Sequence, residues 1–174
     1  NPPYVSTKGV DEDYKDLLKE QYGFADDLYN HFYFKGLEIL KEKGILAFIS
    51  SKTFWTIQTK RNLRELLLKN KILKLVDTAN PFESAMVDTC IVIVQKIQSN
   101  GNNYTIKFMD AKNGFDKKQE YEVEAEVYRN VVNNVFFIPN DFNLKVYKKF
   151  GKTVKDLMDK WWDKISTSKN IEKN

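Results

Sequence analysis

Cysteine and histidine are almost missing from this 174-residue chain, which holds one of each. Cys90 alone can build no disulfide framework, and Cys90 with His31 cannot supply the four ligands of a structural zinc site, so no metal centre is expected. Cys90 lies in the apolar run Cys90-Ile91-Val92-Ile93-Val94, where a thiol acts as a small buried hydrophobe. His31 is expected on a helix surface. No run of about 18 apolar residues is long enough to span a bilayer, and no basic-then-apolar leader is recognisable, so neither a membrane protein nor a secreted one is expected. Charge of one sign is also scarce. The 28 Lys and Arg against 24 Asp and Glu leave +4, which suits a nucleic-acid surface without requiring one. There is no internal repeat, no low-complexity tract, and no Gly-x-Gly among the seven glycines.

Core material is plentiful. With 42% hydrophobic and 14% aromatic residues, the chain can fill one globular interior. Two of its four prolines fall in the opening Asn1-Pro2-Pro3-Tyr4. Each proline fixes φ, lacks an N–H and pushes its predecessor out of the helical region, so this tetrapeptide is expected to form a stiff, extended bend. Its carbonyls face no competing N–H, Asn1 adds a side-chain carbonyl, and Tyr4 adds a flat ring. Two acceptors and a stacking plate suit a flat substrate bearing an amino group. The same four residues could equally form a rigid turn or a proline-rich ligand, and the rest of the chain supplies the context.

Residues 8 to 25 are polar and read as a surface loop with one or two turns of helix around Tyr14, Leu17 and Leu18. From Asp26 to Lys43, the spacing of Tyr29, Phe32, Tyr33, Leu37 and Leu40 predicts a helix, with Asp26 and Asp27 at its positive end and Gly44 past its stop. Ile45 to Ser50 is a continuous apolar run, expected as a strand buried on both faces. A loop bearing Phe54 and Trp55 follows, then a helix from about Thr59 to Lys69 with Leu63, Leu66 and Leu67 inward and Lys60, Arg61 and Arg64 outward. Ile72 to Asp77 is a second strand, and strand, helix and strand at this length predict a right-handed crossover and a parallel pair. Thr89 to Ile97 reads as a third, central strand. Ser99 to Asn103 is a turn. Tyr104–Met109 and Tyr121–Val127 predict an exposed hairpin across Lys112-Asn113-Gly114. A short helix opens at Pro139-Asn140-Asp141 and closes at Gly151, and Thr153 to Asp156 has the form of a capping box before a further helical face. Residues 167 to 174 are polar and are expected to lead onward.

Asn1-Pro2-Pro3-Tyr4 resembles the catalytic motif of the amino-methyltransferases that act on DNA, where an Asn first residue usually accompanies N6-adenine and Ser or Thr more often accompanies N4-cytosine. The order of motif, helix, strand, helix, strand and close-following strand over residues 1 to 98 is similar to the second half of a class I, Rossmann-like methyltransferase sheet, an α/β fold. The resemblance implies a DNA adenine-N6 methyltransferase of a restriction-modification or phage-defence system, with or without a fused nuclease. Such a cytoplasmic enzyme works on double-stranded DNA and takes its methyl group from S-adenosylmethionine. It also implies that the Asn1 side-chain oxygen and the Pro2 carbonyl accept from the exocyclic amino group. Tyr4 stacks on a flipped base, and Phe82, in the loop Asn80 to Thr89, packs against it from the other side. Phe82 could instead plug the strand ends; Phe54 and Trp55 are weaker candidates and as readily core.

In that family the last strand inserts antiparallel between its two predecessors, and the cofactor is held by a glycine-rich loop and an acid that have no counterpart here. The resemblance therefore implies a piece of a longer protein: residues 1–98 as half of a catalytic domain, 99–152 as a hairpin and helix extension, and 153–174 as a helix and linker toward a target-recognition domain. Alone, that piece is expected to be inactive and to self-associate through an open sheet edge. A protein-glutamine or RNA amino-methyltransferase, and a non-catalytic DNA-recognition module, are the alternatives.

Overall fold

The computed structural model describes residues 1–80, 87–97, 102–151, 154–158, 160 and 161. A five-stranded mixed sheet organises them. Helix α1 (Glu12–Tyr22) and helix α2 (Leu28–Ile39) precede strand β1 (Ile45–Ser51); helix α3 (Arg61–Lys69) leads to β2 (Lys71–Ala79), and β3 (Thr89–Gln95) follows. Strands β4 (Thr105–Asp110) and β5 (Gln119–Glu124) run into the short helix α4 (Ala125–Arg129), and α5 (Asp141–Val146) continues into a wider π-type turn at Tyr147–Gly151. The strand order is β1-β3-β2-β4-β5. β3 is antiparallel to both neighbours, β2 and β4 are parallel, and β5 returns antiparallel.

The unbroken Ile91-Val92-Ile93-Val94 explains why β3 is central, since neither of its faces can be left to water. Leu46, Phe48 and Ser50 of β1 lie opposite Val94, Val92 and Cys90, and Val92 lies opposite Leu75 of β2. Tyr33 and Leu37 of α2 and Leu63 and Leu67 of α3 cover this face and complete the main core, which Ile106, Phe108 and Val123 extend through β4 and β5. Gly36 lets α2 sit directly on β1, because a Cβ there would stand 3.0 Å from a Leu46 methyl. Phe54 and Trp55 are both core residues.

The expected strand insertion is present, so β1 and β2 run parallel without pairing: β3 lies between them, and the predicted direct pair is corrected accordingly. β1 is also less buried than expected. Ile45 and Ala47 are exposed and, among the described residues, β1 pairs with β3 alone. The segment expected to be mostly loop holds three turns of helix, since Asp11 accepts from the Tyr14 N–H at 2.7 Å and Gly23, at φ 78°, closes α1 by donating to the Lys19 carbonyl. The β4–β5 hairpin is exposed in part, as expected for Gln119, Glu120, Glu122 and Glu124 of β5, and buried in part. Its charges alternate with apolar residues, so Ile106, Phe108 and Val123 enter the core while Lys107 and Glu122, opposite one another, face water. The second predicted hairpin strand turns helical at Ala125.

Three charged or polar placements differ from expectation. His31 is buried, its ring stacked on Phe24 and its Nε2 accepting from the Asp26 N–H at 3.0 Å. Lys60 and Arg64 are buried as well, each surrounded by acceptors. The predicted turn at 99–103, the start of the capping box and the polar end of the chain lie wholly or partly outside the described residues.

Candidate active site

The carboxyl ends of β1 and β2 and the entry to β3 meet at one end of the sheet, and Tyr4 lies there beside Ser51 and Val87. Pro2 is buried, while Asn1 and Pro3 are exposed and Tyr4 is 39% exposed. Just beyond it, the Val5 carbonyl accepts from the Leu28 N–H at 3.0 Å and the Thr7 N–H donates to Asp27 Oδ1 at 3.2 Å, tying this segment to the start of α2. Burial raises the Tyr4 phenol above its ordinary pKa, and the nearby Cys90 adds to the rise. The ring is therefore neutral over the working range of most enzymes.

Tyr4 is one wall of a cleft of about 200 Å³, which Ser6, Asp27, Tyr29, Ser51, Thr53 and Val87 complete. Its lining follows from the local chain. Ser51 ends β1, Thr53 belongs to the 3-10 turn that β1 runs into, and Tyr29 comes from the first turn of α2. Three hydroxyls form a chain, with Tyr29 Oη 3.2 Å from Thr53 Oγ1 and Thr53 Oγ1 2.8 Å from Ser51 Oγ. Each can donate or accept, so together they offer a polar wall that adapts to a heterocycle's edge. Burial holds the Tyr29 phenol well above its usual range.

Asp27 brings charge to the cleft. Burial alone would raise its pKa, but the hydrogen bond and the charge of Lys60 outweigh that, with help from Thr7 and Ser6, and hold it below the ordinary value. The Lys60 ammonium is caught between Asp27 Oδ2 at 2.7 Å and Asp26 Oδ1. A second ionic group sits at the end of β2, where Asp77 accepts from Lys52 at 3.1 Å and pairs with Lys112 at 3.3 Å. The Lys52 N–H donates to the Asp88 carbonyl at 2.9 Å, drawing the entry to β3 up beside the cleft.

Of the residues predicted for the site, Tyr4 lines the cleft, Asn1, Pro2 and Pro3 directly precede it in the chain, and Phe82 lies outside the described residues. Tyr29, Ser51, Thr53, Asp27 and Lys60 were not foreseen. The sequence alone places Asp27 at the helix dipole and Lys60 on the solvent face; the available signal is that Asp26-Asp27 immediately precedes an apolar helix and that Lys60 immediately precedes α3. No cluster of three His, Cys, Asp or Glu able to hold a metal ion occurs among the described residues. No described helix is long and apolar enough to cross a membrane.

An α/β sheet in which β3 is inserted antiparallel between β1 and β2, with a cleft at the carboxyl end of β1, has the Rossmann-like methyltransferase arrangement. The type IIG restriction endonuclease BpuSI shares the fold, at a TM-score of 0.55 and 14% identity over 72% of this chain and 18% of that one. The model of the Eco57I restriction-modification methylase family matches residues 1–83. The type II restriction enzyme and methyltransferase RM.Eco57I of Escherichia coli is 28% identical over 131 residues, 70% of this chain and 13% of that protein. The adenine-specific methyltransferase BrxX of E. coli O9:H4 (strain HS) is 33% identical over 72 residues, 41% of this chain and 6% of that protein. The chain thus spans a small fraction of these relatives, both of which are named as methyltransferases.

Proposed function

We propose that this chain forms the methyl-acceptor side of an adenine-N6 DNA methyltransferase of a restriction-modification system, as part of a longer protein. The observation that carries this reading is Tyr4 of Asn1-Pro2-Pro3-Tyr4 lining a cleft at the carboxyl end of β1, in a chain whose relatives include an adenine-specific methyltransferase. An exocyclic amino nitrogen is a poor nucleophile because its lone pair is delocalised into the ring. Two carbonyl acceptors, the Asn1 side chain and the Pro2 main chain, draw on its hydrogens and localise that pair as the new N–C bond forms, which is electrostatic preorganisation. Tyr4 stacks on the adenine once it leaves the duplex, and Phe82 closes on its other face.

S-adenosylmethionine supplies the methyl group in methyltransferases of this kind. The residues present do not fit its binding loop: there is no Gly-x-Gly in the chain, and the glycines at positive φ among the described residues, Gly23 and Gly114, end a helix and turn a hairpin. The residues that hold the donor are therefore assigned to other parts of the longer protein, and the chain described here binds and orients the acceptor base.

The test is Asn1→Ala in that longer protein, with methyl transfer followed on double-stranded DNA, on RNA and on a glutamine peptide. Loss of an acceptor aimed at developing charge is worth about 3 kcal/mol, or roughly a 100-fold fall in turnover on DNA, with DNA affinity little changed. Lost DNA affinity with turnover intact would make the segment a structural turn, and transfer to RNA or peptide in place of DNA would reassign the substrate.

A further inference from the structure

We propose that Asp27, held by Lys60, is the positioning residue of the Asn1–Tyr4 segment, gripping the chain just past Tyr4 and so aiming the acceptors at the base. The inference rests on the functional reading above and adds to it a residue 23 positions beyond the motif. Its two carboxylate oxygens are divided between two tasks: Oδ2 takes the Lys60 ammonium at 2.7 Å, and Oδ1 takes the Thr7 N–H at 3.2 Å. The Leu28 N–H holds the Val5 carbonyl at 3.0 Å. Val5 and Thr7 are thereby pinned at both ends of a three-residue span by one helix start. The direction in which Tyr4 leaves that span is set by the grip, and two prolines transmit it stiffly to Asn1.

Lys60 makes the grip directional. Its side chain is 6% exposed, and an ammonium that deeply buried favours keeping both of its anions, so Asp27 turning away to water would leave it with Asp26 alone. Asp26 shares the same ammonium, donates nothing to the motif and instead accepts from the Asp27 N–H at 2.8 Å and from Asn30 Nδ2 at 2.6 Å. One acid anchors the lysine to α2, while the other reaches the site. An ion cluster that merely stabilised the fold would have no need of the bond to Thr7.

Thr7→Pro separates these roles. It deletes the gripped N–H together with the Thr7 hydroxyl, which donates to the same Oδ1 at 3.5 Å, and leaves Asp27, Asp26 and Lys60 as they are. The position tolerates proline, because Thr7 opens a 3-10 turn and Ser6 is already extended at φ −71°, ψ 150°. In the longer protein, turnover on DNA is expected to fall at least tenfold with KM for DNA within twofold, and Thr7→Ser, which keeps both donors, should restore wild-type turnover. Wild-type turnover in Thr7→Pro would overturn the proposal. In the 174-residue chain, Asp27→Ala should speed amide exchange at Thr7 tenfold or more and leave the central-strand amide of Val92 unchanged; an unchanged Thr7 amide would also overturn it. If Asp27→Ala loosens Val92 too, the Thr7→Pro result decides. A wild-type parent that transfers no methyl group to DNA would remove the functional reading, and the exchange measurement would still report whether the grip exists.

Discussion

Replacing Arg64 with methionine is expected to destabilise this chain by about 3 kcal/mol while leaving the core filled. Arg64 is fully buried on α3. Its guanidinium donates to the carbonyls of Phe54 and Ile57, in the connection after β1, and through Nε to the Asn133 carbonyl at 2.9 Å. One side chain thus ties the β1–α3 connection to the segment following α4. Hydrogen bonds to a charged group contribute roughly 1.5–3 kcal/mol each, so losing three costs more than 4 kcal/mol before any relief. Relief comes from the charge itself: burial first, and Arg61 second, lower the Arg64 pKa from 12.5 to about 10, and Nη2 finds no partner among the described residues. Removing a penalised cation returns part of the loss. Methionine has a similar stem and keeps most of the packing. Urea unfolding followed by the fluorescence of buried Trp55 would read the change as a drop in midpoint of about 1.5 M at an unchanged slope of about 2 kcal/mol/M. Arg64→Lys should not rescue, because a point-like ammonium cannot serve three diverging carbonyls. A loss below about 1 kcal/mol would mean that these bonds are replaced by water without cost, and the tethering argument would be wrong.

Other outcomes follow from the same buried groups. Burial pushes the Cys90 thiol from 9.0 up to about 12, so a disulfide reagent at pH 8 should leave it unmodified in the folded chain and label it fully once urea is added. Burial lowers the His31 pKa below its ordinary 6.5, against a smaller upward pull from Asp26; stability present above pH 6.5 is therefore lost as the pH falls through the folded value, and His31→Gln should flatten unfolding free energy between pH 7.5 and 5. Asp27 is also depressed, which places its own acid loss lower, in the carboxylate range below 3.8. The β1 edge carries no charge or proline from Ile45 to Ser51, so light scattering should show concentration-dependent association that Ala47→Lys suppresses, and a monodisperse wild-type monomer would remove that edge as an interface.

Much of the sheet was legible because its signals are local. Ile91 to Val94 marks a strand with two covered faces, and the family resemblance then supplied the inserted order that periodicity alone read as a direct β1–β2 pair. The buried part of the hairpin was missed for a different reason: Lys107, Glu120 and Glu122 were weighed as composition, although their alternation with Ile106, Phe108 and Val123 puts those three apolar residues on one face. Residue type misled again in α3 and the turn before it. Lys60, Leu63, Arg64 and Leu67 stand at the 3-and-4 spacing of one buried face, and all four are buried. Treating the two cations as solvent-facing overrode a positional pattern that was present. What no local pattern carries is the reason a cation belongs there, since its partners are set by tertiary approach: Asp27 is 33 residues from Lys60, and Asn133 is 69 from Arg64. The candidate site shows the same division. The stiffness expected of Asn1–Tyr4 follows from two adjacent prolines, but the hydrogen bond from the Thr7 N–H to Asp27 spans 20 residues. A motif read from sequence therefore proposes acceptor atoms, and the remote acid proposed to orient them becomes visible only when the helix start is brought against the chain that follows the motif.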